Sequence, residues 1–333
     1  MKKLVVFLMF VCLMATIGTA FAAGNSYTWK ISHIRPADTA IDKDVTWFVE
    51  KLNKESNGRI KIDIFNAGQL GDYTVVQERV GVGSIEMAIE PIGTTADKRL
   101  QILNFPYLVK DWDGVKKNYT TGAPLMKTAA DLLAKQNIKL LAVWPVYFGG
   151  IALVKEPEKP GDPSVAKNMK VRIPTQKSFE LLAGAFGYQA TPLPFAETFT
   201  AIQTGIGDGA YGAGAEGYYA NFRDVIKYYV PANTHFEQWY FIMSMDVWES
   251  LSKEDQTLVQ KVAAEMENKR MSVAEADQKA NEQKLRDYRI TVLDMSPADL
   301  ERLEKKAREV VWPALRNDIG AKFFDDVVKD LVK

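Results

Sequence analysis

The sequence is poor in the residues that most often carry chemistry. Its 333 residues include one cysteine, Cys12, and two histidines, His33 and His235. Cys12 lies in an N-terminal apolar run, so the rest of the chain offers no disulfide, no thiolate nucleophile and no cysteine-ligated zinc or iron–sulfur centre. Two histidines far apart in sequence give no obvious acid–base pair, and H-E-x-x-H, G-x-S-x-G and Walker-type loops are absent. No cofactor and no metal site are expected. There is no excess of either charge: 42 basic side chains face 42 acidic ones, which argues against a nucleic-acid or anionic-membrane binder. With 22 glycines and 14 prolines, collagen-like and low-complexity readings also fail.

What is present is an ordinary globular composition, 47% hydrophobic and 25% charged, in a chain long enough for about two domains. The N-terminus is different. Met1-Lys2-Lys3 is a short basic segment, Leu4 to Ile17 is almost continuously apolar, and Ala20-Phe21-Ala22 is an A-x-A cleavage site. This is the layout of a secretory signal peptide over residues 1–22. The apolar run is short of the roughly 20 residues that span a bilayer, so a mature chain from Ala23, released into the periplasm, is expected. Without Lys2 and Lys3 it carries 40 basic and 42 acidic side chains, a formal charge of −2.

Periodicity then sets out the elements. Trp29 to His33 alternates as a strand. Val45, Phe48, Val49 and Leu52 give residues 42–56 the apolar stripe of a helix. Ile60, Ile62 and Ile64 mark a second strand, with a helix over about 72–82 and a strand over 85–89. This β-α-β-α-β order implies a parallel sheet with helices on its faces. The pattern resumes with strands over 139–146 and 169–173, helices over 178–186 and 197–204, and extended chain at 189–191. Residues 253–287 form one long helical pattern, about 50 Å at 1.5 Å per residue, opened by Ser252 and Asp255 in capping-box spacing. Ser296-Pro297 opens another helix. The expected architecture is α/β and two-lobed, with several crossovers and the long helix shared between lobes. Lobe I takes residues 23–149 and about 238–279, lobe II about 150–237 and about 280–333.

Gly207-Asp208-Gly209-Ala210-Tyr211-Gly212 matches G-x-G-x-x-G, but outside a first βαβ unit it reads as a glycine-rich turn. A ligand cleft between two lobes suits such a chain better than catalysis. Arg172, in Val171-Arg172-Ile173-Pro174 at a strand end, is the candidate carboxylate reader, because a guanidinium fork makes two charge-assisted hydrogen bonds. The alternative is an arginine that alternates outward to solvent.

Met169-Lys170-Val171-Arg172-Ile173-Pro174 followed by Leu181 to Gly209 (LLAGAFGYQATPLPFAETFTAIQTGIGDG) resembles the solute receptors of tripartite ATP-independent periplasmic (TRAP) transporters, the DctP family. Gln69-Leu70-Gly71, Gly83 to Ala88 and Phe105-Pro106-Tyr107-Leu108 match further family stretches, so the resemblance covers essentially the whole chain after residue 22. It implies a two-lobed periplasmic binding protein fold and a non-enzymatic receptor. Such a receptor captures an organic acid and delivers it, as a monomer, to TRAP membrane permease subunits. It also implies that Arg172 pairs with the ligand carboxylate and that Phe195 packs on the ligand. Asp72, Glu90, His33 and Arg35 fall near the family's pocket. Glu90 and Asp72 there accept from a ligand N–H or O–H, or else make surface ion pairs.

Two family anchors are missing. The stretch Trp144 to Ile151 lacks the arginine that many members carry, and Gly212 stands where many have asparagine. Trp144, Tyr147, Phe148, Tyr211, Trp239 and Tyr240 offer stacking faces, unless they are core. Loss of a basic group argues against a second ligand carboxylate. The expected ligand is a monocarboxylate with a sizeable apolar or aromatic body, bound around Arg172, Phe195, Tyr211, Gly212, Trp144 and Tyr147. A C4-dicarboxylate or sugar acid, an importer of another class, or a periplasmic enzyme remain the alternatives.

Overall fold

The computed structural model describes residues 25–329 and 331, so the expected signal peptide lies outside the described residues. Its strands form two mixed sheets. In the first, β1 (Tyr27–Ser32), β2 (Ile60–Phe65), β3 (Met87–Glu90), β4 (Ile138–Phe148) and β10 (Phe236–Ser244) stand in the order β2-β1-β3-β10-β4. The second contains β5 (Gly150–Leu153), β6 (Lys170–Ile173), β7 (Gln189–Pro192), β8 (Gly209–Ala213), β9 (Tyr228–Val230) and β11 (Thr291–Val292), ordered β11-β9-β5-β8-β6-β7.

The N-terminal β-α-β-α-β unit is as the periodicity implied. β1 pairs parallel with β2, Ile31 opposite Ile64, and with β3. The apolar stripe of the helix Ala40–Glu55 buries Val45, Phe48 and Leu52. An all-parallel sheet is not what forms, however. β10 runs antiparallel to both β3 and β4. Every residue of β10 is buried, so it shows no polar alternation to mark it as a strand.

The chain passes between the sheets by three routes. β4 hands over to β5 through Gly149 alone. β9 returns to β10 through residues 231–235. The long helix Lys253–Asp287, 35 residues, leads from the first sheet to β11 in the second. Ser252 caps it by accepting from the Asp255 N–H. Midway, Arg270 donates to the Pro145 carbonyl at 2.8 Å and Glu267 accepts from the Val143 N–H at 3.1 Å, fixing the helix to β4. The terminal helices straddle both sheets. Residues 307–311 pack on the helix Lys177–Ala185, 312–319 on the turn Lys98–Asn104, and 321–328 on the helix Pro124–Ala134. Ser296 and Asp299 complete a capping box ahead of Pro297. Burial is organised the same way: each of two apolar clusters draws residues from both sheets. No helix among the described residues is long and apolar enough to cross a membrane.

Candidate functional site

The ends of the two sheets face each other where β4 and β10 pass over, and a small chamber of about 30 Å³ lies there, room for one or two waters. β6 carries Arg172 into its wall. The residue is 4% exposed. Its Nε donates to the Leu193 carbonyl at 2.8 Å and the guanidinium lies 5.6 Å from the Phe195 ring centre. Among the described residues no carboxylate lies within ion-pair distance of it. Burial pulls its pKa below the ordinary arginine value, with nearby tyrosines and Asp72 only partly opposing. An arginine stays protonated regardless, so the chamber wall holds a desolvated cation with no carboxylate bonded to it.

Arg35, just beyond β1, supplies a second guanidinium from the other side. Its Nε donates to Glu216 at 3.0 Å, Nη2 donates to the Tyr147 hydroxyl at 3.2 Å, and the group stacks 4.8 Å from Trp239 and 5.0 Å from Phe195. Burial alone would lower the Arg35 pKa; Glu216, Tyr147 and Glu237 together hold the group above its ordinary value. The arginine missing after Trp144 therefore has a counterpart from another strand, but a neutralised one. Phe195 is stacked by both guanidinium groups and divides the chamber from a wider groove of about 600 Å³ at the cleft mouth. Gly212 is in the wall with φ of +96°, and a Cβ there would lie 2.7 Å from Pro174 Cδ. That space is closed to a side chain by both conformation and contact.

Other expected residues stand elsewhere. Trp144 is fully buried behind Trp239, its ring centre 5.6 Å away, with its indole N–H donated to Asp44 at 3.0 Å and Arg270 stacked on it at 4.3 Å. Tyr211 points off the wall and meets Phe179 edge-on. Its hydroxyl has no partner among the described residues. His33 is buried against Asp42 at 3.1 Å; burial lowers its pKa although Asp42 opposes. Glu90 is 1% exposed and accepts from the Ser32 hydroxyl at 3.1 Å. Burial raises its carboxyl well above the usual range. Asp72 caps the helix Tyr73–Gly81 through Thr74 N–H at 3.2 Å and borders the outer groove. Arg172, Phe195, Gly212, Tyr147 and Arg35 are thus brought to one chamber, and Trp144, Tyr211, His33, Glu90 and Asp72 are not in its wall.

Among the wall residues that the sequence did not single out are Tyr73, Gln176 and Glu237. Tyr73 lines the chamber, its phenol pushed up to about 12 by burial. Gln176 bridges the cleft, donating to the Ile92 carbonyl at 3.0 Å and accepting from Asn104 at 3.2 Å. Glu237 shares the β10 face of Trp239; strand alternation from Trp239 would have found it. Among the described residues no group of three or more His, Cys, Asp or Glu is placed to hold a metal ion.

The DctP family model, "Bacterial extracellular solute-binding protein, family 7", matches residues 31–317. The chain is 22% identical over 296 residues to the C4-dicarboxylate-binding periplasmic protein DctP of Rhodobacter capsulatus, 88% of this chain and 87% of that one. It is 27% identical over 249 residues to the ectoine-binding periplasmic protein TeaA of Halomonas elongata, covering 72% and 70%. The crystal structure of the sugar acid binding protein DctPAm from Advenella mimigardefordensis, in complex with galactonate, superposes with a TM-score of 0.84 at 19% identity, covering 92% and 98%. A two-lobed α/β fold, a chamber between its sheets and a match over nearly the whole described chain lead to one conclusion: the protein belongs to the DctP family of bacterial extracellular solute-binding proteins, the periplasmic receptors of TRAP transporters for organic acids, and is a binding protein and not an enzyme.

Proposed function

We propose that this receptor captures a compact monocarboxylate. The carrying observation is Arg172, a buried guanidinium in the chamber wall with no carboxylate partner among the described residues. A ligand carboxylate would give that guanidinium the partner it lacks, and the fork would hold it by two hydrogen bonds. The second guanidinium is already paired with Glu216, which supports one ligand carboxylate and not two. The aromatic body expected from the sequence finds less support. The chamber is small, and Trp144 and Tyr211 pack away from it. Phe195 and Trp239 spend their faces on Arg35.

In this reading the receptor is exported with loss of residues 1–22, acts as a monomer and delivers its ligand to a TRAP membrane permease. Lobe I in this reading takes residues 23–149 and about 238–279, and lobe II about 150–237 and about 280–296, with residues 297–328, packed on elements of both sheets, as the seam. Closure brings Arg172 from one lobe toward Arg35 and Tyr73 from the other, and the ligand favours the closed form through contacts made only there. Thermal shift against dicarboxylates, sugar acids, 2-oxo acids and aromatic acids tests the class, since a ligand of the folded state raises the melting temperature. Arg172→Ala and Arg172→Lys should each weaken binding at least tenfold with the fold retained, lysine because it lacks the bidentate geometry. Unchanged affinity refutes the role of Arg172. Larger shifts with dicarboxylates or sugar acids refute the compact monocarboxylate.

A further inference from the structure

The chamber contains a carboxylate that the reading above leaves idle. Glu237, on β10, lines the cavity with its side chain 9% exposed. One oxygen accepts the Trp239 indole N–H at 3.0 Å. The other lies 3.3 Å from His235 Nε2, yet that nitrogen makes no hydrogen bond, so the approach is poorly directed. A carboxylate has about four acceptor positions, and Glu237 fills one of them well. No lysine or arginine pairs with it among the described residues. Arg35 lies within reach of its charge, but its hydrogen bonds go to Glu216 and Tyr147.

Charge balance in the closed chamber then constrains the ligand. Arg35 and Glu216 cancel as a pair with side chains 2% and 11% exposed. Arg172 and Glu237 remain as opposite charges in one wall without touching a common partner, and Asp72 acts on Arg172 only from the outer groove. A simple monoanion on Arg172 would leave Glu237 as a buried negative charge, which is costly. A ligand that brings one positive and one negative group leaves the balance at zero. We propose that the chamber recognises a zwitterion of amino-acid type, with its carboxylate on Arg172 and its protonated amine on Glu237. This rests on the receptor reading above and narrows its substrate class. Burial also keeps the neighbouring Glu90 carboxyl well above its usual range, favouring its neutral form. Glu237 is therefore the acidic wall group available to an ammonium. A hydroxyl or keto oxygen at the same place gives Glu237 at best a hydrogen bond and leaves its charge uncancelled. Arg35, already paired with Glu216, and His235 are the competing sources of positive charge; the His235 Nδ1 bonds the Thr234 hydroxyl at 3.0 Å, and Phe179 covers the ring at 4.8 Å.

The test is calorimetric titration of the full mature chain with matched 2-amino, 2-hydroxy and 2-oxo acids of three to five carbons, at pH 6 and pH 8. The amino acid of each set should bind at least tenfold tighter than its partners at both pH values. In Glu237→Gln the amino acids should lose at least tenfold, while the hydroxy acids hold or gain. Circular dichroism and urea unfolding confirm that the variant folds. Equal binding of the three bodies overturns the inference and leaves the receptor reading standing. So does a preference for the hydroxy acid at either pH value. A uniform loss across all three bodies in Glu237→Gln makes Glu237 structural and also overturns the inference. Absence of binding by any carboxylate, or binding that Arg172→Lys leaves unaltered, refutes both readings.

Discussion

Replacing Glu216 with glutamine should weaken ligand binding about 30-fold while leaving the unfolding of the ligand-free protein nearly unchanged. Glu216 lies in the first turn of the helix Ala215–Phe222, and Arg35 lies beyond β1, so their bond at 3.0 Å crosses the cleft. Side-chain exposures of 2% and 11% mean that solvent screens it little. Hydrogen bonds to charged groups contribute roughly 1.5–3 kcal/mol net. Glutamine keeps the shape and removes the charge, so about 2 kcal/mol is lost. That energy belongs to the closed form, because opening returns both groups to water. About 2 kcal/mol is a factor of about 30 in an equilibrium constant, and it passes to the apparent affinity through the closed fraction. The assay is titration of wild type and Glu216→Gln with the tightest acid of the panel, beside urea unfolding without ligand. A large fall in unfolding free energy with unchanged affinity would refute the reasoning and assign the pair to the fold.

Two further outcomes follow from buried groups. Glu90 has a raised carboxyl pKa in the folded state, caused first by burial, so above about pH 4.5 the folded chain binds more protons than the unfolded one. Its contribution to stability is lost as pH rises through the folded value. Glu90→Gln should therefore raise the melting temperature relative to wild type more at pH 8 than at pH 5, and an equal change at both would refute this. Gly149→Ala should cost about 1–3 kcal/mol in urea unfolding, because the new Cβ would fall 2.1 Å from His235 Cε1; an unchanged midpoint would show that the ring yields freely.

The sequence disclosed the long helix to the residue, and for a physical reason. Its cap, its charged outer face and its uninterrupted period are all local. β1 to β3 were also legible from local pattern, within two residues of their bounds, as was the helix start at Ser296-Pro297. β10 escaped because burial on both faces erases alternation. The site divided along the same line. Arg172 and Phe195 lie in one ordered motif and could be found together. Trp144 and Tyr147 could not be sorted by pattern, because the β4–β10 register slips between them, pairing Glu237 with Tyr147 but Gln238 with Pro145. One extra residue lets Tyr147 reach the wall while Trp144 stays behind Trp239. Glu237 and Gln176 acquire meaning only from what faces them across the cleft, and that is a tertiary fact.

The two strand crossings between the sheets are bonded to each other. The Gly149 N–H donates to the His235 carbonyl at 2.8 Å and the Thr234 N–H donates to the Gly149 carbonyl at 2.9 Å. They form a single rung, so neither can bend without the other, and the closure proposed above would turn about that one axle. The His235 ring rests on that axle, and Glu237 is next to it on the chamber side. A load applied so near the pivot has a short lever arm, and the rim at Asp72 and Ala196 has a long one. In such a closure, a shift of a fraction of an ångström at the chamber would be magnified at that rim.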